Sequence, residues 1–203
     1  MDANLKWYID KKVERTIENL KKHNMLGMYI EDKAKLYEVL EVLIQDNTTV
    51  GVGDSVTLSE LGVLDFIRNK KVKFLDKYAK ELSTDAKKAI YRANFTADTF
   101  LTGTNAVTEK GELFNIDGNG SRVAPMIYGP DQVIVIVGTN KIVKDLHEAE
   151  NRVRQIAAPI DARRLNKNTP CTKVGYCVDC NHEERIRSEE RRVRKECRSR
   201  GAR

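Results

Sequence analysis

The chain lacks long apolar segments and the residue patterns of several common enzyme classes. No run approaches the roughly 20 consecutive apolar residues of a membrane helix, and the first residues, MDANLKWYIDKKVERT, lack the apolar core of a secretory signal. Only three histidines are present, with neither a Ser-His-Asp order nor an HExxH pattern, so hydrolase mechanisms of those kinds have no support. We therefore expect a cytoplasmic protein that does not span a membrane.

The chain also lacks the two common nucleotide-binding loops. In the segment Gly51-Val52-Gly53-Asp54-Ser55 the third glycine of a GxGxxG fingerprint would fall on Val56, and no Gly-Lys-Ser/Thr follows. This turn lies between a β-rich run and a predicted helix, where backbone N–H groups and the helix dipole can hold an anion. Tight packing of a strand on a helix would need the same glycines. Anion binding and packing therefore both stay open as interpretations of this turn.

The composition predicts one soluble domain. The 203 residues are 40% hydrophobic and 33% charged, enough for one sizeable core but hardly two. Residues 187–203 hold eight Lys or Arg and three Glu, which leaves a net charge of +1 on residues 1–186 out of +6 in total. The basic character of the whole chain is therefore no clue to its function.

The last segment, RSEERRVRKECRSRGAR at 187–203, has an unusual amino-acid sequence. It looks like a translated sequencing adapter fused to a truncated gene, so we expect it to be foreign to the natural protein. A solvated natural tail is the alternative. An arm that binds nucleic acid is disfavoured, since the segment has no aromatic residue to stack on bases.

Apolar spacing predicts an alternation of helices and strands, which is typical of an α/β domain. Helices are predicted at about 9–20, 32–45, 57–67, 83–93 and 142–156, and strands at about 25–30, 48–52, 72–75, 97–107, 112–117 and 132–138. Thr57 and Glu60 form a candidate capping box, Ser83 a candidate N-cap, and Pro159 is predicted to end the last helix. No internal repeat is evident.

The segment 97–138 carries more polar groups than a core requires. Its loop Asn115 to Arg122 (NIDGNGSR) combines donors and acceptors, an arginine that can fork onto a carboxylate or phosphate, and glycines that tolerate positive φ. An ordinary hairpin with an Asp-Gly turn is the alternative. Because ligands gather at the carboxyl ends of parallel strands, polar residues on and after the flanking strands join the candidate site. The ligand-binding candidates are Gly51, Gly53, Asp54, Ser55, Asp98, Thr104, Asn105, Asp117, Asn119, Gly120, Arg122 and Lys141.

Three cysteines lie within ten residues, at Cys171, Cys177 and Cys180. In a protein expected in the cytoplasm, such a cluster indicates a metal or redox site rather than a disulfide. Thiolates suit zinc or an iron–sulfur cluster, but four ligands are usual. His182 or Cys197 could supply the fourth ligand. The spacing does not separate zinc from an iron–sulfur cluster.

Four long segments closely resemble one family. They are VGVGDSVTLSELGVLDFI (Val50 to Ile67), YRANFTADTFLTGTNAVT (Tyr91 to Thr108), GELFNIDGNGSRVAPMIYGP (Gly111 to Pro130) and IAAPIDARRLNKNTPC (Ile156 to Cys171). Together they resemble the stand-alone lactate-utilisation (LUD) domain family, from about residue 7 to residue 186. The resemblance implies a NagB/RpiA/CoA-transferase-like α/β fold, with a sheet flanked by helices, and a link to bacterial lactate oxidation.

The resemblance also bears on the cysteines. After the position of Cys180 the family typically reads on to Arg-Ile-Cys, which would place a fourth cysteine where this chain has Arg187. The resemblance therefore implies that the natural protein, with its full-length C-terminus, binds zinc or an iron–sulfur cluster. The predicted organisation is a LUD α/β domain at 1–170, a cysteine-containing segment at 171–186 and the basic tail at 187–203.

Three functions are consistent with these observations. The first is binding of a small carboxylate or other anion beside redox partner subunits in lactate or 2-hydroxy-acid oxidation, since the chain has no flavin or nicotinamide fingerprint of its own. The second is an isomerase- or transferase-like activity on a phosphorylated or CoA-linked small molecule. The third is a non-catalytic assembly subunit that docks on an iron–sulfur partner.

Overall fold

The computed structural model describes residues 2–187, which form a mixed α/β structure with a parallel sheet flanked by helices. The strands are β1 Thr49–Val52, β2 Lys73–Phe74, β3 Thr99–Thr102, β4 Ala106–Thr108, β5 Leu113–Phe114, β6 Gln132–Val135 and β7 Ile142–Val143. The helices are α1 Ala3–Lys22, α2 Lys33–Leu43, α3 Val56–Glu60, α4 Val63–Arg68, α5 Thr84–Ala93, α6 Val123–Ile127, α7 Leu146–Arg152, α8 Ala158–Arg164 and α9 Cys171–Val174. No helix in the described part of the chain is long and apolar enough to cross a membrane.

The chain divides into two compact units, each built from separate segments. One contains residues 30–104 and 120–137 and is called the parallel-sheet unit. The other contains residues 2–29, 105–119 and 138–187 of the described chain and is called the terminal unit. Both units therefore depend on contacts between residues that are far apart in sequence.

The parallel-sheet unit is built on four parallel strands in the order β2-β1-β3-β6. The central strands β1 and β3 are almost completely buried, as expected for strands covered on both faces. Leu36 and Leu40 of α2, Leu58 of α3 and Ile67 of α4 pack with the strand residue Val52 in one core. This packing fixes the position of the loops that follow β1 and β3.

One predicted helix of this unit is divided. The apolar spacing at 57–67 predicted a single helix, but α3 ends at Glu60 and α4 begins at Val63. Gly62 adopts a left-handed conformation with φ 67° and breaks the helix. The predicted capping box at Thr57 was wrong, because Ser55 is the N-cap and its Oγ accepts a hydrogen bond from the Leu58 N–H. The predicted N-cap Ser83 of α5 is confirmed.

The predicted strand at 97–107 was also wrong as a single element. Its first part is β3, in the parallel sheet, and its last part is β4, in a second sheet of order β5-β4-β7. The polar residues Gly103 to Asn105 separate the two strands, and Asn105 is the first residue of the terminal unit in this part of the chain. Residues 102–105 (Thr-Gly-Thr-Asn) carry no apolar side chain, which is consistent with a loop between the two strands.

The terminal unit begins with α1, which the spacing of Val13 and Ile17 correctly predicted. The apolar segment 25–30 was predicted as a strand, but it has no regular structure. A Cβ at Gly27 would lie 3.1 Å from Ile17 Cγ1 and 3.2 Å from Leu20 Cδ1. The backbone of this segment therefore lies against α1 at Gly27. Leu26, Met28 and Tyr29 are exposed, and Ile30 packs on the core of the parallel-sheet unit.

The structure differs from the predicted helix at 142–156 at both of its ends. Ile142 and Val143 form β7, and α7 begins after its N-cap Asp145. The chain then passes through a π-helical turn, Val153–Ala157, into α8, so Pro159 does not end the helix as predicted. Pro159 lies in the first turn of α8, where proline's missing N–H is tolerated.

Candidate functional site

The loops after β1 and β3 start side by side at the carboxyl edge of the parallel sheet. The Gly53 N–H donates a 2.8 Å hydrogen bond to the Leu101 carbonyl, which continues the pairing beyond the last residue of β1. The Ile136 N–H donates to the Thr102 carbonyl at 2.9 Å, which extends the pairing of β3 with β6 in the same way. The ends of three neighbouring strands therefore lie at one edge.

Gly53 makes room for the side chain of Arg122 at this edge. A Cβ at Gly53 would lie 2.6 Å from Thr102 Oγ1 and 2.9 Å from Arg122 Cγ, closer than carbon atoms tolerate. Arg122 is only 6% exposed, and its Nη1 donates a 3.3 Å hydrogen bond to the Gly103 carbonyl. The structure thus brings Gly53 and Arg122 together, 69 positions apart in sequence.

Gly103 makes room for Ser55 in the same way. A Cβ at Gly103 would lie 2.5 Å from Ser55 Oγ. Ser55 is 8% exposed and Thr102 is fully buried. We call Gly53, Ser55, Thr102, Gly103 and Arg122 the carboxyl-edge cluster.

Asp54 lies beside this cluster and is held by Tyr78. The Tyr78 hydroxyl donates a 2.9 Å hydrogen bond to Asp54 Oδ1. The Lys77 ammonium lies 5.1 Å from the centre of the Tyr78 ring and 5.8 Å from that of Tyr91, within the range of cation–π interactions. Lys77 and Tyr78 were not predicted as site residues, since nothing in their local sequence distinguishes them from surface residues.

Gly51 lies next to the buried side chains of Asn94 and Phe100. A Cβ there would lie 2.5 Å from Asn94 Oδ1 and 3.1 Å from Phe100 Cδ2. Asn94 is completely buried, and its Nδ2 donates a 3.5 Å hydrogen bond to the Val52 carbonyl. The geometry of Gly51 therefore favours the packing interpretation of this glycine.

Asp98 lies away from the carboxyl-edge cluster. It immediately precedes β3, and its Oδ2 accepts a 2.6 Å hydrogen bond from the Thr49 N–H at the start of β1. The side chain thus joins the amino ends of two strands, one strand length (about 10 Å) from the carboxyl edge. Thr104 and Gly120 belong to the same unit as the cluster, and Gly120 has the positive φ, 76°, that the sequence predicted for a turn glycine.

The remaining predicted ligand-binding residues, Asn105, Asp117, Asn119 and Lys141, belong to the terminal unit. Asn105 Oδ1 accepts a 2.9 Å hydrogen bond from the Ile116 N–H, and Asp117 Oδ1 accepts one of 2.8 Å from the Gly118 N–H. The Asp117 contact is local, as expected for a short polar side chain in a turn, whereas the Asn105 contact joins residues 11 positions apart. A single site that includes these residues and the carboxyl-edge cluster stays a prediction.

Asn105 has a second partner in the terminal unit that the sequence did not suggest. Arg152 of α7 donates from Nη1 to the Asn105 carbonyl at 2.6 Å, and its Nε donates to the Asn140 carbonyl at 3.4 Å. Burial lowers the pKa of the Arg152 guanidinium from its usual value. Arg152 thus links the start of β4 to the turn before β7.

The three cysteines of the terminal unit line one small cavity of about 30 Å³, together with Arg187. All three are free thiols; Cys171 is buried, and Cys177 and Cys180 are half-buried. Among residues 2–187, no group of three or more histidine, cysteine, aspartate or glutamate side chains is placed so that it could hold a metal ion. The predicted metal site therefore stays a prediction.

The parallel-sheet unit also contains a groove of about 620 Å³ beside α2 and α4, which holds none of the predicted site residues. Tyr37 and Phe66 line the groove and stack with ring centroids 4.9 Å apart. The Lys70 ammonium contacts Glu41 at 2.6 Å and Asp46 at 3.2 Å. The groove has the volume of a small-molecule pocket, but its buried lysine already has two carboxylate partners.

Comparison with known proteins identifies the family. A model of the LUD domain matches residues 13–199, so the match ends 13 positions beyond the residue 186 at which the sequence resemblance was expected to stop. No curated protein matches the chain. Among solved structures, a DUF162 family protein from Deinococcus radiodurans is similar with a TM-score of 0.48 and 14% identity, covering 78% of this chain and 84% of that one.

Ribose 5-phosphate isomerase A from Neisseria gonorrhoeae is similar with a TM-score of 0.36 and 16% identity, covering 56% of this chain and 54% of the isomerase. The domain match covers most of the sequence, including β1 to β7 and the three cysteines. It relates the chain to lactate utilisation in general. The chain belongs to the LUD domain family.

Proposed function

We propose that the carboxyl-edge cluster binds the carboxylate of a small 2-hydroxy or 2-oxo acid, and that the protein acts with redox partner subunits in lactate or related oxidation. The observation that carries this proposal is the position of Arg122. Its guanidinium is almost completely buried at the carboxyl edge of a parallel sheet, where α/β proteins commonly bind ligands.

The chemistry of Arg122 suits a carboxylate. A buried cation is costly unless its N–H groups are satisfied and its charge is balanced. Guanidinium presents a planar fork of N–H donors that matches a carboxylate, and one of these donors already contacts the Gly103 carbonyl. A carboxylate that reaches this edge would meet a guanidinium that the fold holds in a fixed position.

Two hydroxyl groups near Arg122 suit the 2-hydroxy or 2-oxo group of such a ligand. The hydroxyls of Ser55 and Thr102 lie within the same cluster and can each donate or accept. A 2-hydroxy acid presents a donor and a 2-oxo acid an acceptor, so one pair of hydroxyls can contact both. We therefore propose lactate and pyruvate as the first ligands to test.

The proposal assigns binding to this chain and electron transfer to its partners. Oxidation of a 2-hydroxy acid to a 2-oxo acid removes two electrons and two protons, which a flavin, a nicotinamide or an iron–sulfur protein must accept. The sequence contains no flavin or nicotinamide fingerprint. A redox partner would thus supply the acceptor.

The test is titration calorimetry with lactate and pyruvate on Arg122→Met and on Arg92→Met. Arg92 is an exposed arginine on α5 in the same unit, so it is a matched control for the loss of one positive charge. We expect Arg122→Met to weaken binding by roughly 1.5–3 kcal/mol, the contribution of a hydrogen bond to a charged group. Arg92→Met should bind like the parent protein.

The same titrations separate the alternatives. Equal affinity of the Arg122→Met variant and the parent protein, with unchanged circular dichroism, would contradict the role of Arg122. Sugar phosphates and CoA esters belong in the same panel. If they bind more tightly than lactate and pyruvate, an isomerase- or transferase-like function replaces the carboxylate proposal.

A further inference from the structure

The carboxyl-edge cluster is closed to solvent in this conformation. Thr102 is fully buried, Arg122 is 6% exposed and Ser55 is 8% exposed. A small acid therefore cannot reach the Arg122 guanidinium unless a neighbouring part of the parallel-sheet unit moves first.

The connection between β2 and α5 borders this cluster. It comprises residues 75–83, contains neither helix nor strand, and is called the 75–83 segment. Its Tyr78 hydroxyl donates a 2.9 Å hydrogen bond to Asp54 Oδ1 and lies 3.4 Å from the Gly53 carbonyl oxygen. Tyr78 thus joins the segment to the loop that contributes Gly53 and Ser55 to the cluster.

Both ends of the 75–83 segment are fixed to regular structure. The Leu75 N–H donates to a carbonyl of β1 at 2.9 Å, which extends the pairing of β2 with β1. Asp76 Oδ2 accepts a 2.8 Å hydrogen bond from Arg68 Nε of α4, and Ser83 is the N-cap of α5. Movement of the segment is therefore expected between these fixed ends.

The middle of the segment is exposed and carries backbone strain. Ala79, Lys80 and Glu81 are all exposed. Glu81 has φ 61°, a left-handed conformation that is uncommon for a residue with a long side chain. Exposed residues without regular structure, between two fixed ends, are typical of loops that open locally and admit ligands.

We propose that the 75–83 segment is a lid of the carboxyl-edge cluster, and that the hydrogen bond from Tyr78 to Asp54 is the latch that holds it closed. The lid rests on the proposed function, because it concerns entry of the same ligand. A hydroxyl that donates to a carboxylate forms one of the stronger kinds of hydrogen bond. Relief of the strain at Glu81 offsets part of the cost of breaking it.

Lys77 supplies a second contact that favours the closed lid. Its ammonium lies 5.1 Å from the centre of the Tyr78 ring and 5.8 Å from that of Tyr91, which belongs to α5. An exposed cation–π contact is weaker than a hydrogen bond to a charged group. The latch is therefore assigned to the Tyr78 hydroxyl, and Lys77 supports it.

The first test measures opening of the lid without any ligand. Thr102→Cys places a thiol in the closed cluster, and mass spectrometry of the digested protein follows its reaction with iodoacetamide separately from the natural cysteines. We expect Tyr78→Phe in this background to raise the reaction rate at position 102 roughly tenfold, the factor that corresponds to one hydrogen bond to a charged group.

Tyr37→Phe is the matched control, because the Tyr37 hydroxyl donates a 2.8 Å hydrogen bond to the Leu61 carbonyl elsewhere in the same unit. It should leave the rate at position 102 unchanged. The buried Cys171 of the terminal unit reports global unfolding, so its rate should be equal in all variants. Equal rates at position 102 in the two tyrosine variants would overturn the proposal, and so would a parallel rise at Cys171.

Trypsin gives an independent measurement of the same opening. Lys80 lies in the exposed middle of the lid, and Lys110 lies in the exposed β4–β5 turn and serves as the control. Tyr78→Phe should accelerate cleavage after Lys80 and leave cleavage after Lys110 unchanged. Equal changes at the two sites, or no change at either, would contradict a latch at Tyr78.

Binding kinetics of pyruvate, followed by exchange broadening of its methyl NMR signal, separate the lid from the proposed function. We expect Tyr78→Phe to raise the association rate constant by the same factor as the labelling rate at position 102. An unchanged association rate constant despite faster labelling would show that the ligand enters elsewhere and would overturn the lid. If neither pyruvate nor lactate binds the parent protein or the variant, the proposed function is wrong, and the labelling and cleavage rates alone decide whether the segment opens.

Discussion

Two glycines of the terminal unit share one backbone conformation and differ in their surroundings. Gly111 has φ 82° and Gly175 has φ 84°. A Cβ at Gly111 would lie 2.6 Å from the Asn19 carbonyl carbon and 2.7 Å from the Leu20 nitrogen, whereas a Cβ at Gly175 would meet no atom within 4 Å. Substitutions at these two glycines therefore distinguish the cost of backbone strain from the cost of steric overlap.

We expect Gly175→Ala to cost about 1 kcal/mol of unfolding free energy, from the left-handed conformation alone. Gly111→Ala should cost about 1–3 kcal/mol more, because the new methyl group overlaps the backbone of α1, which cannot rotate away. Urea denaturation of both variants measures the difference. Equal losses would show that the hairpin turn and α1 can move apart at little cost.

The turn at Gly111 is fixed to α1 by several polar contacts as well. Arg15 forms an ion pair with Glu109 at 2.8 Å, Asn19 Nδ2 donates to the Glu109 carbonyl at 2.8 Å, and a ring nitrogen of His23 lies 3.0 Å from the Lys110 carbonyl. His23, the residue after the end of α1, thus helps to hold the β4–β5 hairpin. These contacts explain why movement at Gly111 is restricted.

At the scale of elements, α7 begins with a pair of reciprocal side-chain caps. Asp145 Oδ1 accepts a 3.0 Å hydrogen bond from the Glu148 N–H, and Glu148 Oε2 accepts one of 2.7 Å from the Lys144 N–H. The hydrogen bond from Glu148 is the main cause of a lowered pKa of the Asp145 carboxyl, below its usual 3.8. The ionised form is therefore favoured by folding.

This lowered pKa predicts a loss of stability in acid. The contribution of Asp145 is present above the unfolded value of 3.8, and it disappears as the pH falls through the lower folded value. We expect Asp145→Asn to keep the cap at neutral pH, because Asn is an equally good N-cap, and to reduce the fall in melting temperature below about pH 4. Melting curves between neutral pH and pH 2.5 measure both effects.

Asp145→Ala provides the comparison for that experiment. It should lower the melting temperature at neutral pH, since it removes the cap, and its difference from the parent protein should shrink in acid. If Asp145→Asn and the parent protein show identical pH profiles, the Asp145 carboxyl does not contribute to the acid response.

At the scale of the whole molecule, the end of the chain can be tested separately from the fold. Residues 188–203 lie outside the described part, so the expected scarcity of contacts there stays a prediction. Arg187, the first residue of the predicted tail, does contact the fold through Asp179. The family match extends to residue 199, so it gives no support to a family boundary at 186.

We expect deletion of residues 190–203 to leave the melting temperature unchanged within about 2 °C, less than the effect of 1 kcal/mol in a chain of this size. The reason is composition, since this segment has almost no apolar side chain besides Val193 and Cys197. Calorimetry of the shortened protein provides the measurement. A clear fall in melting temperature would mean that the segment packs on the domain.

Local signals in the sequence were sufficient for several elements. Spacing of three and four residues predicted α1 and α2, and the Ser83 cap predicted the start of α5. They were insufficient where contacts between distant segments decide whether an apolar segment joins a sheet. The segment 25–30 joins no sheet, and the run 97–107 divides between two sheets.

The sequence by itself determined the family, the α/β alternation and most of the residues at the carboxyl edge, because motifs and periodicity are local properties of the chain. Only the tertiary structure decided which of those residues meet. Gly53 and Thr102 come together because β1 and β3 are neighbours in the sheet, and Arg122 reaches them from the start of α6. Asp98 lies at the other end of the same strands. Strand order and unit boundaries depend on packing between distant segments, and no local pattern records that packing.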